Sequence, residues 1–334
     1  MLTALIQQLL IKQNLTKKQC FQALNELISN ENPIQSGAFV LLLQSKPIHI
    51  EEFFAFYELL KEQMIHLPLS YEVIDIVGTG GDQANTVNIS TAASILVASC
   101  GVKVIKHGNR SVSSLCGSAD LLEGFKIKLN LAPDQIVRCV NEIGISFCFA
   151  PNFHPVLLAL KNLRRSLKVP TFFNWLGPLL NPAQPKFYLL GVSDSSKMDL
   201  MADVLLRAKV KHAFVVHSQG LDELSLLGSS EVIEIKDNSS NKFILDPVDF
   251  GFKYCQLSDI QGDKVERNCH LITKVFQGEK NPLADTIIFN AGVALYLSEN
   301  CSSIESGIEK AQKQIENGSA INLLKAWQQF CKKL

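Results

Sequence analysis

The chain has 334 residues, 47% of them hydrophobic, which is enough for a large core and two domains. Lys+Arg and Asp+Glu both number 32, so the formal net charge is zero; that argues against broad nucleic-acid binding or attraction to a membrane surface, while leaving room for a local basic pocket. Nine scattered cysteines without a C-x-x-C fit reduced thiols in a cytoplasmic protein better than a disulfide or zinc framework.

Met1 to Leu10 lacks a basic lead-in and reads as an amphipathic helix, with Leu2, Leu5, Ile6, Leu9 and Leu10 on one stripe, and not as a signal peptide. Thr16 to Gln19 fits a capping box for a second helix reaching about Ile28. A third helix is expected over Pro33 to Gln44, with the proline in its first turn, and a fourth over Ile50 to Ile65. His66 to Ser70 reads as a linker. No apolar run reaches membrane-spanning length.

From Tyr71 the pattern changes to alternating strands and helices. Strands are expected near 73–77, 102–106, 145–149, 187–192, 212–217, 231–236 and 242–245. Helices are expected near 91–100, 113–121, 133–142, 154–167, 196–208, 283–297, 303–317 and 319–332. Such alternation predicts an α/β fold with a mainly parallel sheet. The expected organisation is a small all-helical domain over 1–70, joined by parts of 155–185, and a larger α/β domain over 71–334.

Three polar clusters fall in one strand–helix–strand unit. Gly78-Thr79-Gly80-Gly81-Asp82 follows a strand, Asn88-Ile89-Ser90-Thr91 opens a helix, and Lys106-His107-Gly108-Asn109-Arg110 follows the next strand. A right-handed βαβ unit brings both strand ends and the helix amino end to one crevice. Backbone N–H groups, a helix amino end and a Lys/Arg pair there suit a multiply charged phosphate ligand.

Each cluster also has a plainer reading. The glycines have neither P-loop nor dinucleotide-turn spacing and serve equally for a tight turn; Asp82 would repel a phosphate unless a metal or a ligand hydroxyl intervened. Ser90 alone reads as an N-cap. Lys106 to Ser114 is too dense in donors for an ordinary solvated loop, and Ser111, Ser113, Ser114 and Ser118 add hydroxyls. Arg164 matters only if its helix faces the crevice; Arg165 reads as solvated. Asp222-Glu223, in a turn after the strand 212–217, can hold a hard cation or be an exposed polar turn.

Taken in order, GTGGD at 78–82, NIST at 88–91, KHGNRSVSS at 106–114, GSAD at 117–120, FAPNFHP at 149–155, FFNWLGPLLNP at 172–182 and GLDELSLLG at 220–228 resemble the anthranilate phosphoribosyltransferase family over essentially the whole chain. The resemblance implies a magnesium-dependent transfer of phosphoribosyl from 5-phosphoribosyl 1-pyrophosphate (PRPP) to anthranilate, a step of tryptophan biosynthesis. It also implies a homodimer and two Mg2+ ions. Carried over by position, PRPP contacts fall on Gly78, Gly81, Asp82, Thr86, Asn88, Ile89, Ser90, Thr91, Lys106, His107, Gly108, Asn109, Arg110, Ser111, Val112, Ser113, Ser114 and Ser118. Magnesium ligands fall on Ser90, Asp222 and Glu223, and anthranilate contacts on Gly78, Asn109 and Arg164.

The chain departs from the family pattern at Pro170, where a basic residue is usual, at Val156, where alanine is common, and at Lys126 and Lys168, where glycine is usual. His107 is a candidate proton acceptor and Lys106 a leaving-group stabiliser. Two rival readings are a pyrimidine nucleoside phosphorylase, which would need neither the Asp222-Glu223 pair nor a diphosphate loop, and a non-enzymatic nucleic-acid-binding relative, which neutral charge disfavours.

Overall fold

The computed structural model describes residues 2–29, 31–111 and 115–334. Four helices come first: α1 (Leu2–Leu10), α2 (Lys17–Ser29), α3 (Pro33–Ser45) and α4 (Ile50–Glu62). Then follow β1 (Ile74–Gly78), α5 (Ile89–Ser99), β2 (Val104–Gly108), α6 (Ser118–Gly124), α7 (Pro133–Ile143) and β3 (Ile145–Phe149). Four short helices come next: α8 (Ala150–Phe153), α9 (Pro155–Ala159), α10 (Lys161–Leu167) and α11 (Phe172–Leu176). The rest is β4 (Phe187–Gly191), α12 (Met198–Arg207), β5 (His212–His217), β6 (Ser230–Lys236), β7 (Ser239–Leu245), α13 (Leu257–Ile260), α14 (Val265–Phe276), α15 (Pro282–Leu297), α16 (Ile304–Glu316) and α17 (Ser319–Lys332).

The chain divides into one unit of Met1–His66 with Pro151–Pro182 and a second of Leu67–Ala150 with Ala183–Leu334. The first unit is helical. Thr16 and Gln19 close the expected capping box, the Gln19 N–H donating to Thr16 Oγ1 at 3.3 Å and the Thr16 N–H to Gln19 Oε1 at 2.9 Å. Its core is aromatic: Phe39, Phe53, Phe56, Phe172 and Phe173 are almost fully buried, with Phe56 and Phe172 ring centroids 4.9 Å apart. A buried Lys46–Glu52 ion pair is completed by donation to Glu52 from the N–H groups of Leu15 and His49. These extra donors offset the desolvation that a bare pair would suffer.

In the second unit a seven-stranded sheet runs β3-β2-β1-β4-β5-β6-β7. The first five strands are parallel; β6 and β7 close the far side antiparallel. Buried α5 and α15 supply much of the core, because nearly every side chain on them is apolar or small. Parallel order places the carboxyl ends of β1, β2, β4 and β5 at one edge.

Several elements differ from the sequence expectation. The helix expected over 154–167 is broken into α9 and α10, since Pro155 starts a new helix and Leu160 ends it. The helix expected over 113–121 begins at Ser118; residues 113 and 114 lie outside the described residues. Helix α14 was not expected, because Arg267, Asn268, Cys269 and His270 mask the stripe of Ile272, Val275 and Phe276. Strand β2 runs on past Lys106 through His107 and Gly108, so those two residues belong to the ladder and not to the loop. Lys126 and Lys168 both adopt left-handed backbone, φ +61° and +55°, which accounts for glycine being usual there.

Candidate functional site

The apolar run of β1 ends at Gly78, and the chain turns through Gly80 and Gly81, both with positive φ, +70° and +84°. The turn is pinned from β4: Thr79 N–H donates to Gly191 O at 3.0 Å, and Ser193 Oγ donates to Gly80 O at 2.9 Å. Ser193 was not singled out in the sequence, although its place just past the end of β4 was a usable signal.

The Asp222-Glu223 turn meets this loop. Gly80 N–H donates to Asp222 Oδ2 at 2.6 Å. A Cβ on Gly78 would fall 2.1 Å from Asp222 Oδ2, and one on Gly191 1.5 Å from Asp222 O. Two glycines at the ends of neighbouring strands therefore open the space that the acidic turn occupies. The turn is fixed at its base by His217, whose Nδ1 lies 2.7 Å from Val192 O and whose Nε2 accepts from Gly220 N–H at 3.3 Å. His217, given no role in the sequence reading, is thus a support of the turn.

Glu223 reaches the amino end of α5, where its Oε1 accepts from Ser90 N–H at 3.2 Å. The partial positive charge of a helix start favours an anion there. Its other oxygen, Oε2, is buried without a hydrogen-bond partner. The expected bare N–H groups of the crevice are therefore not bare at Gly80 and Ser90, because buried carboxylates need donors and these are within reach. Nor is Ser90 the N-cap. Asn88 holds that position, and its side chain is spent elsewhere: Nδ2 donates to Cys116 O at 2.9 Å and Oδ1 accepts from Asn268 Nδ2 at 3.1 Å. Asn268 lies on α14 and was likewise missed.

Lys106 is buried beneath these groups, its Nζ donating to Ile76 O and, at 3.1 Å, to Ser90 Oγ. Burial pulls its pKa down, and the nearby carboxylates of Asp75, Glu223 and Asp222 oppose that. Burial, then the charge of Asp82, pushes the Asp222 carboxyl up to about 6. Burial, followed by the charge of Asp222, holds Glu223 well above the usual carboxylate range. Two crowded acids, one with an orphaned oxygen, form a site short of positive charge.

The donor set fits a hard divalent cation: two carboxylates and the Ser90 hydroxyl are oxygen ligands. Among the described residues no cluster of three or more His, Cys, Asp or Glu forms a cage. That composition suits Mg2+, which commonly takes one or two carboxylates and completes its shell with water and substrate phosphates.

The remaining candidates divide by exposure. Asn109 and Arg110 are exposed, while Ile89, Thr91 and His107 are buried, so Ile89 can offer only main chain. Buried His107 is poorly placed to take a proton from an open crevice. The Arg110 guanidinium is held by Asp120 and Glu123, at 3.1 Å from the Asp120 carboxylate and 2.7 Å from Glu123 Oε1, so its charge is already matched. Asp120 also accepts from Ser111 and Gly117 N–H, both at 3.0 Å. Ser118 Oγ donates to Asn109 O at 3.3 Å and lies against Gly108. Thr86 makes an antiparallel bridge with Gln261. Val112, Ser113 and Ser114 lie outside the described residues. Arg164 belongs to the helical unit, where its Nη2 donates to Asn174 Oδ1 at 3.3 Å and its guanidinium lies 5.9 Å from the Phe173 ring centre.

The model of a glycosyl transferase family, described as its a/b domain, matches residues 70–321. The anthranilate phosphoribosyltransferase of Chlamydia caviae is 39% identical over 335 residues, covering 100% of this chain and 98% of that protein. That of Legionella pneumophila strain Lens is 38% identical, covering 95% and 92%. Among solved structures, the Thermus thermophilus enzyme superposes with a TM-score of 0.90 at 33% identity, covering 98% of this chain and 99% of that one. The Saccharomyces cerevisiae enzyme in complex with PRPP and Mg gives 0.91 at 25% identity, covering 100% and 98%. With an α/β sheet of this order, an acidic turn set against the start of α5 and full-length relatives of this kind, the chain belongs to the anthranilate phosphoribosyltransferase family.

Proposed function

We infer that the protein transfers the phosphoribosyl group of PRPP to the amine of anthranilate, giving N-(5-phosphoribosyl)anthranilate and pyrophosphate, in tryptophan biosynthesis. The observation that carries this reading is the buried Asp222-Glu223 pair bonded to the Gly80 and Ser90 N–H groups, in a chain similar over its length to enzymes of that activity. The pyrimidine phosphorylase reading gives no account of that pair.

The reaction displaces pyrophosphate from the anomeric carbon of the ribose. Negative charge grows on the leaving group while the sugar becomes oxocarbenium-like, so donors that bind the departing diphosphate most tightly late in the reaction accelerate it. The Gly78–Asp82 loop, the start of α5 and Lys106 are the donors proposed for PRPP. Bound Mg2+, two ions in this proposal, supplies charge neutralisation at the diphosphate. Ser90, Asp222 and Glu223 are the residues that would hold it, Asp82 adding negative charge beside Asp222.

The arylamine of anthranilate carries a free lone pair at neutral pH and needs no base before attack. The proton released afterwards goes to water, since His107 is buried. Gly78 and Asn109 are proposed to line the anthranilate position and Arg164 to pair with its carboxylate, so that orientation supplies much of the remaining rate. We also propose a cytoplasmic homodimer. The nine cysteines, all unpaired, support a reducing compartment, and exposed Leu10, Ile11 and Ile34 on the helical unit support self-association.

The test is to mix the protein with PRPP, Mg2+ and anthranilate and follow the loss of anthranilate fluorescence. A Mg2+-dependent loss is expected. No loss, together with phosphorolysis of thymidine or uridine, would replace this reading with the phosphorylase one.

A further inference from the structure

We propose that Asn290 is a positioning residue for the acidic pair, holding Asp222 and Glu223 in the geometry that a divalent cation requires; this rests on the metal-assisted reading above. Asn290 lies in the middle of the apolar helix α15, 2% exposed, and every hydrogen-bonding direction of its amide that has a partner is aimed at backbone. Oδ1 accepts from Leu224 N–H at 3.3 Å, Nδ2 donates to Leu224 O at 2.7 Å, and Nδ2 also donates to Thr286 O at 2.9 Å. The side chain thus grips both backbone groups of a single residue, as a neighbouring strand would.

That residue is the one following Glu223. The Leu224 N–H belongs to the peptide plane that joins Glu223 to Leu224, so the Oδ1 contact fixes the rotation of that plane and with it the direction in which Glu223 leaves the chain. Leu224 is fully buried, so no water replaces either bond if the amide is lost. Only one orientation of a carboxamide satisfies both groups, which makes the contact a specific one. Neither a carboxylate nor a leucine of the same size reproduces it: the first repels Leu224 O, and the second leaves both groups unpaired. Groups that orient metal ligands without touching the metal typically alter its affinity by roughly 10- to 100-fold.

The experiment is a Mn2+ titration followed by electron paramagnetic resonance, with pyrophosphate present, on the parent protein, Asn290→Asp, Asn290→Leu and Thr286→Val. Circular dichroism reports folding of each. Thr286 is equally buried on α15 and its hydroxyl donates to Pro282 O, so its variant controls for damage to the helix alone. The expected result is parent-like Mn2+ affinity in Thr286→Val and affinity weaker by roughly 10- to 100-fold in folded Asn290 variants. Folded Asn290 variants that bind Mn2+ as the parent does would overturn the proposal. If both fail to fold, amide exchange in the parent decides: a protected Leu224 N–H supports the clamp, and one that exchanges as a free loop removes it. A parent that binds no Mn2+ fails the metal-assisted reading itself, whatever the variants do, and the proposal with it.

Discussion

Glu223 Oε1 accepts from the N–H of Ser90 at 3.2 Å, across 133 residues of sequence, while its second oxygen is buried without a partner. One carboxylate thus occupies the helix start proposed above for a phosphate oxygen, and is itself only half satisfied. This is a site held at some cost to stability, in the expectation of a cation.

Removing the charge separates these two effects. Both acids have raised pKa values in the fold, so each is more easily protonated there than in the unfolded chain. A raised carboxyl pKa favours the folded state at low pH and costs stability as pH rises, for Asp222 between the usual value near 4 and about 6. Metal-free parent should therefore lose stability as pH rises through that range and beyond, and Glu223→Gln and Asp222→Asn should lose less. Both variants should lose turnover by about 100-fold or more, the scale for losing a group that stabilises transition-state charge. Thermal unfolding without metal at pH 5 and pH 8, beside steady-state assays with Mg2+, checks this. Variants less stable than the parent at pH 8 would count against the strained-site account.

The three polar clusters were legible because each sits at the end of a regular element, where glycines, hydroxyls and basic residues interrupt an apolar run. The Asp222-Glu223 turn was legible for the same reason. What surrounds them was not. Asn290 and Asn268 lie on helices whose patterns are explained by core packing, and the partners that give them meaning are 66 and 180 residues away. Arg110 looked like a phosphate ligand because a sequence does not reveal that Asp120 and Glu123 fold back onto it. His107 looked like a loop residue because a polar side chain at a strand end resembles a turn signal, whereas it is a buried member of the ladder. The succession of strands and helices followed from alternation; the break at Leu160 within the expected 154–167 helix did not, because it depends on how that residue packs.

Gly191→Ala should be more damaging than an ordinary glycine substitution. Its new Cβ would lie 1.5 Å from Asp222 O, and backbone cannot swing aside as a flexible side chain does. The expected cost is about 3 kcal/mol or more, above the usual range for overpacking because the obstacle is main chain. Activity should fall further than the fraction unfolded accounts for, since the acidic turn is what moves. Gly251→Ala meets nothing within 4 Å and bears only the strain of its φ of +82°, so it is the control. Equal losses of activity in the two folded variants would remove the close-approach argument.

Lys126 occupies a left-handed position, φ +61°, that glycine fills without strain. Lys126→Gly should be neutral to stabilising by up to about 1 kcal/mol, the relief of strain being partly offset by the greater freedom of glycine in the unfolded chain. Denaturant midpoints at an unchanged slope measure it. A loss of more than about 1 kcal/mol would mean that the lysine side chain makes a contact worth more than the strain.

His154, in the helical unit, is buried, and burial lowers its pKa to about 4. The unfolded chain takes up a proton near pH 6.5 and the folded one does so only near 4. The stability this neutral imidazole contributes is therefore present above pH 6.5 and lost as pH falls towards 4, up to about 3 kcal/mol at 1.36 kcal/mol per unit. His154→Gln should flatten the unfolding midpoint against pH between 6.5 and 4, whatever it does to stability at pH 8. A parallel curve in parent and variant would assign the acid sensitivity elsewhere.

Arg164 tests the acceptor side of the reaction apart from the donor side. Its guanidinium is largely desolvated, which lowers its pKa, and it is braced by Asn174 and the Phe173 ring. A fixed, poorly hydrated guanidinium matches a planar carboxylate better than a free surface arginine does. Arg164→Ala should raise the KM for anthranilate by about 10- to 100-fold, the equivalent of one charged hydrogen bond, and leave the KM for PRPP within a few-fold of the parent. Arg164→Lys should recover only part of the loss, because an ammonium keeps the charge without the bidentate face. Saturation curves for each substrate in turn separate the outcomes: equal shifts in both KM values point to a collapsed fold, and no shift in either removes Arg164 from the anthranilate site.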